Sequence, residues 1–218
     1  MLPLRLGNPG ERLRLLCLGA HPDDIEIGCG GTLLRLFAER PDTEVRWVVF
    51  SGSGARRAEA EASARAYLAG TDAGPCAIAV HGFRDGFFPA EFTALKETFE
   101  RLWQAWQPAL ILTHYRDDLH QDHRLVAELT HQIFRDHLIW EYEIPKYDGD
   151  LGNPNLFVAL EEAACRQKTA SLLAHFASQR GRAWFTSETF MALMRLRGIG
   201  CQAPQGYAEG FYCRKAVV

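Results

Sequence analysis

Apolar residues along this chain fall into two alternating rhythms. Short, nearly unbroken apolar runs occur at Leu13–Gly19 (only Arg14 interrupts it), Glu44–Ser51, Cys76–Val80 and Ala109–Thr113. Runs of this length without polar alternation predict strands covered on both faces. Between them lie stretches with helical spacing. Thr32–Arg40 places Leu33, Leu34, Leu36 and Phe37 inward and stops at Pro41. Arg56–Ala69 is Ala-rich, Glu91–Trp106 aligns Leu95, Phe99, Leu102 and Trp106 before Pro108, and Arg124–Phe134 follows the fourth run. Strand and helix in this succession predict an α/β fold, with a parallel sheet, helices on both faces and right-handed crossovers.

Beyond about residue 138 the rhythm loosens. The segment 138–160 mixes aromatic, charged and turn residues and predicts one or two further strands. Glu161–Phe176 and Trp184–Arg197 read as amphipathic helices, and Glu209–Arg214 as a last short strand. With 218 residues and no linker-like stretch, residues 1–218 form a single domain. The net charge of −3 gives no electrostatic case for nucleic acid or an anionic membrane as principal partner. No apolar run approaches the roughly 20 residues that span a bilayer, and the N-terminal segment lacks a secretory pattern. The expectation is a cytoplasmic protein. Cys17, Cys29, Cys76, Cys165, Cys201 and Cys213 form no C-x-x-C pair and read as reduced, mostly buried small hydrophobes.

Chemistry concentrates in two clusters that follow the first and fourth strands. AHPDD contains His21, Asp23 and Asp24; DLHQDHR contains His120, Asp122 and His123. Ligands in open α/β sheets bind at this strand edge. His21 and Asp24, three residues apart in a turn, can face one ion, with His123 as the third ligand. Two imidazoles, one carboxylate and an open position suit catalytic zinc; the same set accepts iron(II) or manganese. Asp23, between two ligands, is placed to take a proton from an activated water. His120 is read as a charge-stabilising and proton-donating imidazole oriented by Asp122, and His114 as a neighbour of the ligands. The Gly28–Gly31 run lacks a dinucleotide fingerprint and is expected to let a helix approach a strand closely.

AHPDDIEIGCGGTL together with HQDHR resembles the LmbE-like, or PIG-L, N-deacetylases. That resemblance implies a Rossmann-like three-layer sandwich with a mostly parallel central sheet. It implies a zinc-dependent amidohydrolase that acts on an N-acetylated amino sugar of the N-acetylglucosamine type, or a glycoside of one. By motif position it assigns the metal to His21, Asp24 and His123, the base to Asp23, and the acid to His120 with Asp122. It also implies a metal-binding core over 1–135 and a pocket-shaping part over 136–218, with Tyr142, Glu143 and Lys146 as candidate pocket residues. Homo-oligomerisation stays open. The alternatives are an iron(II) oxygenase using two histidines and a carboxylate, and a non-catalytic metal- or sugar-binding module of the same fold.

Overall fold

A computed structural model describes residue 6, residues 11–71 and residues 77–217 of the chain. Seven strands form one sheet in the order β3-β2-β1-β4-β5-β7-β6. The first five, β1 (Arg14–Gly19), β2 (Glu44–Ser51), β3 (Ile78–Phe83), β4 (Leu110–His114) and β5 (Leu138–Tyr142), run parallel. β7 (Tyr207–Cys213) pairs antiparallel with both β5 and β6 (Leu156–Leu160). Residues of β1 serve the two faces in turn: Leu15 and Cys17 pack into one apolar cluster, Leu16 and Leu18 into the other.

Helices cover both faces of the sheet. The first cluster is closed by α1 (Asp24–Glu39), α2 (Gly54–Leu68), α5 (Glu162–His175) and α6 (Ser187–Cys201). The second is closed by α3 (Phe92–Ala105) and α4 (Gln121–Ile133) through Leu95, Phe99, Leu125, Val126 and Leu129. This is the expected α/β architecture. Among the described residues, no helix is long and apolar enough to cross a membrane. Cys17, Cys29, Cys165, Cys201 and Cys213 are free; Cys76, and with it the expected start of the third strand, lies outside the described residues.

The starts of the two helices that follow the histidine clusters differ from expectation. The helix expected from Thr32 begins at Asp24, so the glycine run lies inside α1, and α4 begins at Gln121 instead of Arg124. Glycine ordinarily weakens a helix interior, but here it admits close neighbours. A Cβ on Gly28 would lie 2.1 Å from the Tyr142 ring, on Gly30 2.6 Å from the Tyr67 hydroxyl, and on Gly31 2.5 Å from Leu160. A buried ion pair braces the same stretch. Gly31 and Thr32 donate their N–H groups to the two oxygens of Glu209, while Lys168 Nζ donates to Ile27 O at 2.6 Å and to Glu209 Oε1 at 2.6 Å. Both side chains are almost fully buried, so each charge is compensated by the other and by backbone dipoles.

The glycine packing sets the sign of a test. Gly28→Ala is expected to destabilise by about 2–3 kcal/mol through overpacking, measured by urea unfolding. Gly200→Ala in α6, where an added Cβ meets open space, is expected to be neutral or to gain up to about 1 kcal/mol.

Candidate metal centre and active site

All five parallel strands end on one edge, and the segment after each reaches a common cleft of about 180 Å³. His21, Asp23 and Asp24 follow β1, Arg56 lies in the first turn of α2 after β2, and Asp85 follows β3. The loop and helix start after β4 bring His120 and His123, and Lys146 follows β5. Because β1 and β4 are adjacent while successive strands spread outward on either side of them, the two histidine clusters meet at the topological switch point.

The first cluster is shaped by its own turn. Asp24 Oδ2 accepts from the His21 N–H at 2.6 Å, and the Asp24 N–H donates to His21 O at 3.4 Å. This holds Asp24 Oδ2 3.3 Å from His21 Nδ1. His123, in the first turn of α4, places Nε2 3.0 Å from His21 Nδ1 and 3.6 Å from Asp24 Oδ1. A tetrahedral ion with bonds of about 2.0–2.2 Å sets ligand atoms roughly 3.3–3.6 Å apart; the two distances to Asp24 fall in this range, and the imidazole nitrogens, 3.0 Å apart, lie slightly closer. All three residues are buried.

The outward nitrogens show what the inward ones carry. His21 Nε2 faces Asp122 Oδ2 at 3.3 Å and Asp85 Oδ1 at 3.2 Å; His123 Nδ1 faces Asp118 Oδ2 at 3.0 Å. An ionised carboxylate only accepts, so these nitrogens bear the protons in the neutral rings. His21 Nδ1 and His123 Nε2 then turn lone pairs toward each other and toward the Asp24 carboxylate. Against the opposing effect of burial, the carboxylates of Asp24, Asp122 and Asp85 raise the His21 pKa well above the ordinary histidine value, so in the absence of an ion a second proton sits on His21 Nδ1 facing His123 Nε2, and a divalent cation would take that proton's place among the three donors. His114 touches this set from behind: its ring stacks on His123 at 4.0 Å, and its Nε2 lies 3.1 Å from Asp24 Oδ2 and 2.9 Å from the Ala20 N–H.

Asp23 faces the cleft, with Oδ1 accepting from Arg56 Nη2 at 3.0 Å. Burial, and then the charge of Asp24, raise its pKa to about 6, which suits a group that takes up a proton near neutrality. His120 caps α4. Its Nδ1 accepts from the Asp122 N–H at 3.3 Å, which leaves Nε2 as the protonated nitrogen of the neutral ring. Burial and then the neighbouring His21 lower its pKa, so the ring favours the neutral, Nε2–H form.

Asp122 supports His120 differently from the expectation: the contact is made by its backbone amide. Positions two apart at a helix start point about 200° apart, and the Asp122 carboxylate turns the other way. It accepts from the Gly86 N–H at 2.6 Å and the Phe88 N–H at 3.1 Å and faces His21. Of the three candidate pocket residues, Lys146 lines the cleft. Tyr142 is a core strut whose hydroxyl donates to Leu18 O at 2.6 Å, and Glu143 is held by Arg197 and Tyr212 away from the metal ligands. Asp118, Arg56 and Asp85 were not anticipated. Asp118 had a signal in the sequence, since it lies two residues before His120 in the same cluster; Arg56, in the first turn of α2, and Asp85, in the loop after β3, belong to no motif. Tyr147, Arg182 and Trp184 complete the outer wall.

The model of the family described as PIG-L, GlcNAc-PI de-N-acetylase, matches residues 16–134. An Escherichia coli (strain K12) protein named uncharacterized deacetylase YaiS is 55% identical over 31 residues, a stretch covering 14% of this chain and 17% of that protein. The N,N'-diacetylchitobiose deacetylase of Pyrococcus horikoshii, solved with its inhibitor MPG, is similar with a TM-score of 0.70 and 22% identity, covering 96% of this chain and 86% of that one. GalB, the 4-carboxy-2-hydroxymuconate hydratase of Pseudomonas putida KT2440, is similar with a TM-score of 0.67 and 19% identity, covering 94% and 98%. At these identities the two structures share the fold, and that fold carries both a deacetylase and a hydratase. With more than half of its length and both histidine clusters inside the family match, the chain belongs to the PIG-L (GlcNAc-PI de-N-acetylase) family.

Proposed function

We propose that this protein is a zinc-dependent hydrolase that removes the acetyl group from an N-acetylated amino sugar, a small-molecule substrate of the N-acetylglucosamine type. The observation that carries this reading is the convergence of His21 Nδ1, His123 Nε2 and the Asp24 carboxylate at spacings suited to one ion, with a carboxylate base beside them. When bound, the ion supplies Lewis-acid polarisation of the amide carbonyl and lowers the pKa of water. The chain's own groups do the rest. Asp23, oriented by Arg56, accepts the proton of the attacking water. His120 Nε2–H donates a hydrogen bond to the oxygen on which negative charge develops. The departing amine receives a proton from the side of the cleft where Asp23 and His120 stand, as acetate leaves. Asp122 and Asp118 hold the two ligand imidazoles by their outward nitrogens.

A second reading has one observation in its favour: the likeness to a hydratase of the same fold. Activating water beside a carboxylate base would serve addition to a carbon–carbon double bond as well. The two readings separate on product. Incubating the zinc-loaded enzyme with a panel of N-acetylglucosamine derivatives is expected to release acetate and free amine in equal amounts. Failure across the panel, together with hydration of an unsaturated dicarboxylic acid, would overturn the deacetylase assignment.

The division of labour within the site is tested by two substitutions. Asp23→Asn is expected to lower kcat by about 10²–10⁴-fold while zinc, measured by elemental analysis, stays near one per chain. His123→Ala is expected to lose the metal itself. Loss of zinc from the Asp23→Asn protein, with activity recovered when zinc is added back, would remove Asp23 from the role of base. His120→Ala is expected to lower kcat by about 10²–10³-fold with zinc retained.

A further inference from the structure

Behind His123 lies a clasp of three charged side chains, Asp118, Lys146 and Asp150, of which the proposed reaction uses only the contact of Asp118 with His123 Nδ1. Asp118 is 2% exposed and makes three hydrogen bonds with its two oxygens. Oδ2 accepts from His123 Nδ1 at 3.0 Å and from Lys146 Nζ at 2.9 Å, and Oδ1 accepts from the His120 N–H at 2.7 Å. One carboxylate therefore grips the backbone of the acid candidate and the ring of a metal ligand. Lys146, from the segment after β5, also bonds the Asp150 carboxylate, which takes the Leu119 N–H at 2.8 Å. The loop that bears the cleft-lining Tyr147 and Asp148 is thereby buttoned onto the loop between β4 and α4.

Such an arrangement has a specific consequence for the imidazole. A histidine with both nitrogens unconstrained exchanges its proton between them, and one tautomer in each exchange turns an N–H at the ion. A buried carboxylate on Nδ1 removes that choice. The adjacent ammonium compensates the carboxylate's charge, so that the pair can be buried without drawing the proton fully off the ring. Lysine meets both demands because its three donors reach Asp118 and Asp150 together.

We propose that Asp118 is the positioning residue that sets His123 with Nδ1 protonated and Nε2 facing the metal, and that Lys146 acts through it by fastening the outer wall of the cleft to the same carboxylate. This rests on the metal-centre reading above. An amide in place of Asp118 has one acceptor oxygen, so it cannot satisfy His120 N–H and His123 Nδ1–H and also face an ammonium without loss.

The experiment measures zinc affinity by competition with a chromophoric chelator, with thermal melts run in parallel and no substrate present. Asp118→Asn is expected to raise the zinc Kd by about 10–100-fold in a protein that still folds, with the zinc-free melt lowered because Lys146 loses a buried partner. Lys146→Met is expected to raise it less, and adding Lys146→Met to Asp118→Asn is expected to change little further, because the two share one interaction. Should Asp118→Asn fail to fold, long-range ¹H–¹⁵N histidine spectra of the zinc-loaded wild type decide the matter. They are expected to show His123 protonated on Nδ1, and protonation on Nε2 would overturn the proposal. Tight zinc binding by the wild type with an unchanged Kd in a folded Asp118→Asn protein would overturn it while sparing the metal centre. No zinc binding by the wild type would sink both.

Discussion

Everything at the active edge of this molecule follows from forcing two imidazoles and a carboxylate to converge on one point. Left in a dry environment, those groups would repel or would share a proton. The sheet prevents their separation, because the turn after β1 and the helix start after β4 issue from hydrogen-bonded neighbours. The outward nitrogens are each committed to a carboxylate, so any further positive charge must lodge between the inward ones. What remains is a demand for a cation, created by scaffold and hydrogen bonds together.

That demand explains why so many acidic groups lie near one spot in a protein of modest net charge. Asp24, Asp118 and Asp122 are all buried, and each is satisfied by donors of a different kind. Asp122 takes two backbone N–H groups of the segment after β3, Asp118 an ammonium, an imidazole and a backbone N–H, and Asp24 the His21 amide. Asp122 and Asp118 therefore each tie a strand-end loop to another while holding a site residue, and Asp24 fastens its own turn. The same bonds that tune the ligands knit the loops. Precision at the site comes from this coupling and not from the loops' own stiffness.

Much of this was legible in the residues. The buried runs and Pro-terminated helices located the parallel strands, and a histidine cluster after each of two strands pointed to their meeting at the sheet edge. What escaped was set by tertiary contacts. The helix is expected only from Thr32 because local propensity disfavours glycine; the close approach at Gly28–Gly31 is legible, but the Tyr142, Tyr67 and Leu160 side chains that make it come from distant segments. The direction of the Asp122 carboxylate depends on where α4 begins, and a shift of three residues in that start rotates it from His120 toward His21. The insertion of β7 between β5 and β6 left no trace in the alternation of elements, since antiparallel pairing with a distant strand has no local signature. The contributions of Arg56 and Asp85 depend on loops whose ends are fixed only once the strands are ordered.

The brace across α1 carries a consequence for how the molecule is made. The amide of Gly31 and the carboxylate that receives it are 178 residues apart along the chain. During synthesis the first helix, which begins at a proposed metal ligand, gains this brace only after Glu209 has emerged. Every proposed ligand has by then left the ribosome. A nascent chain carrying all of them would still lack the salt bridge under the helix, so the brace is added with completion of the sheet and not with emergence of the ligands.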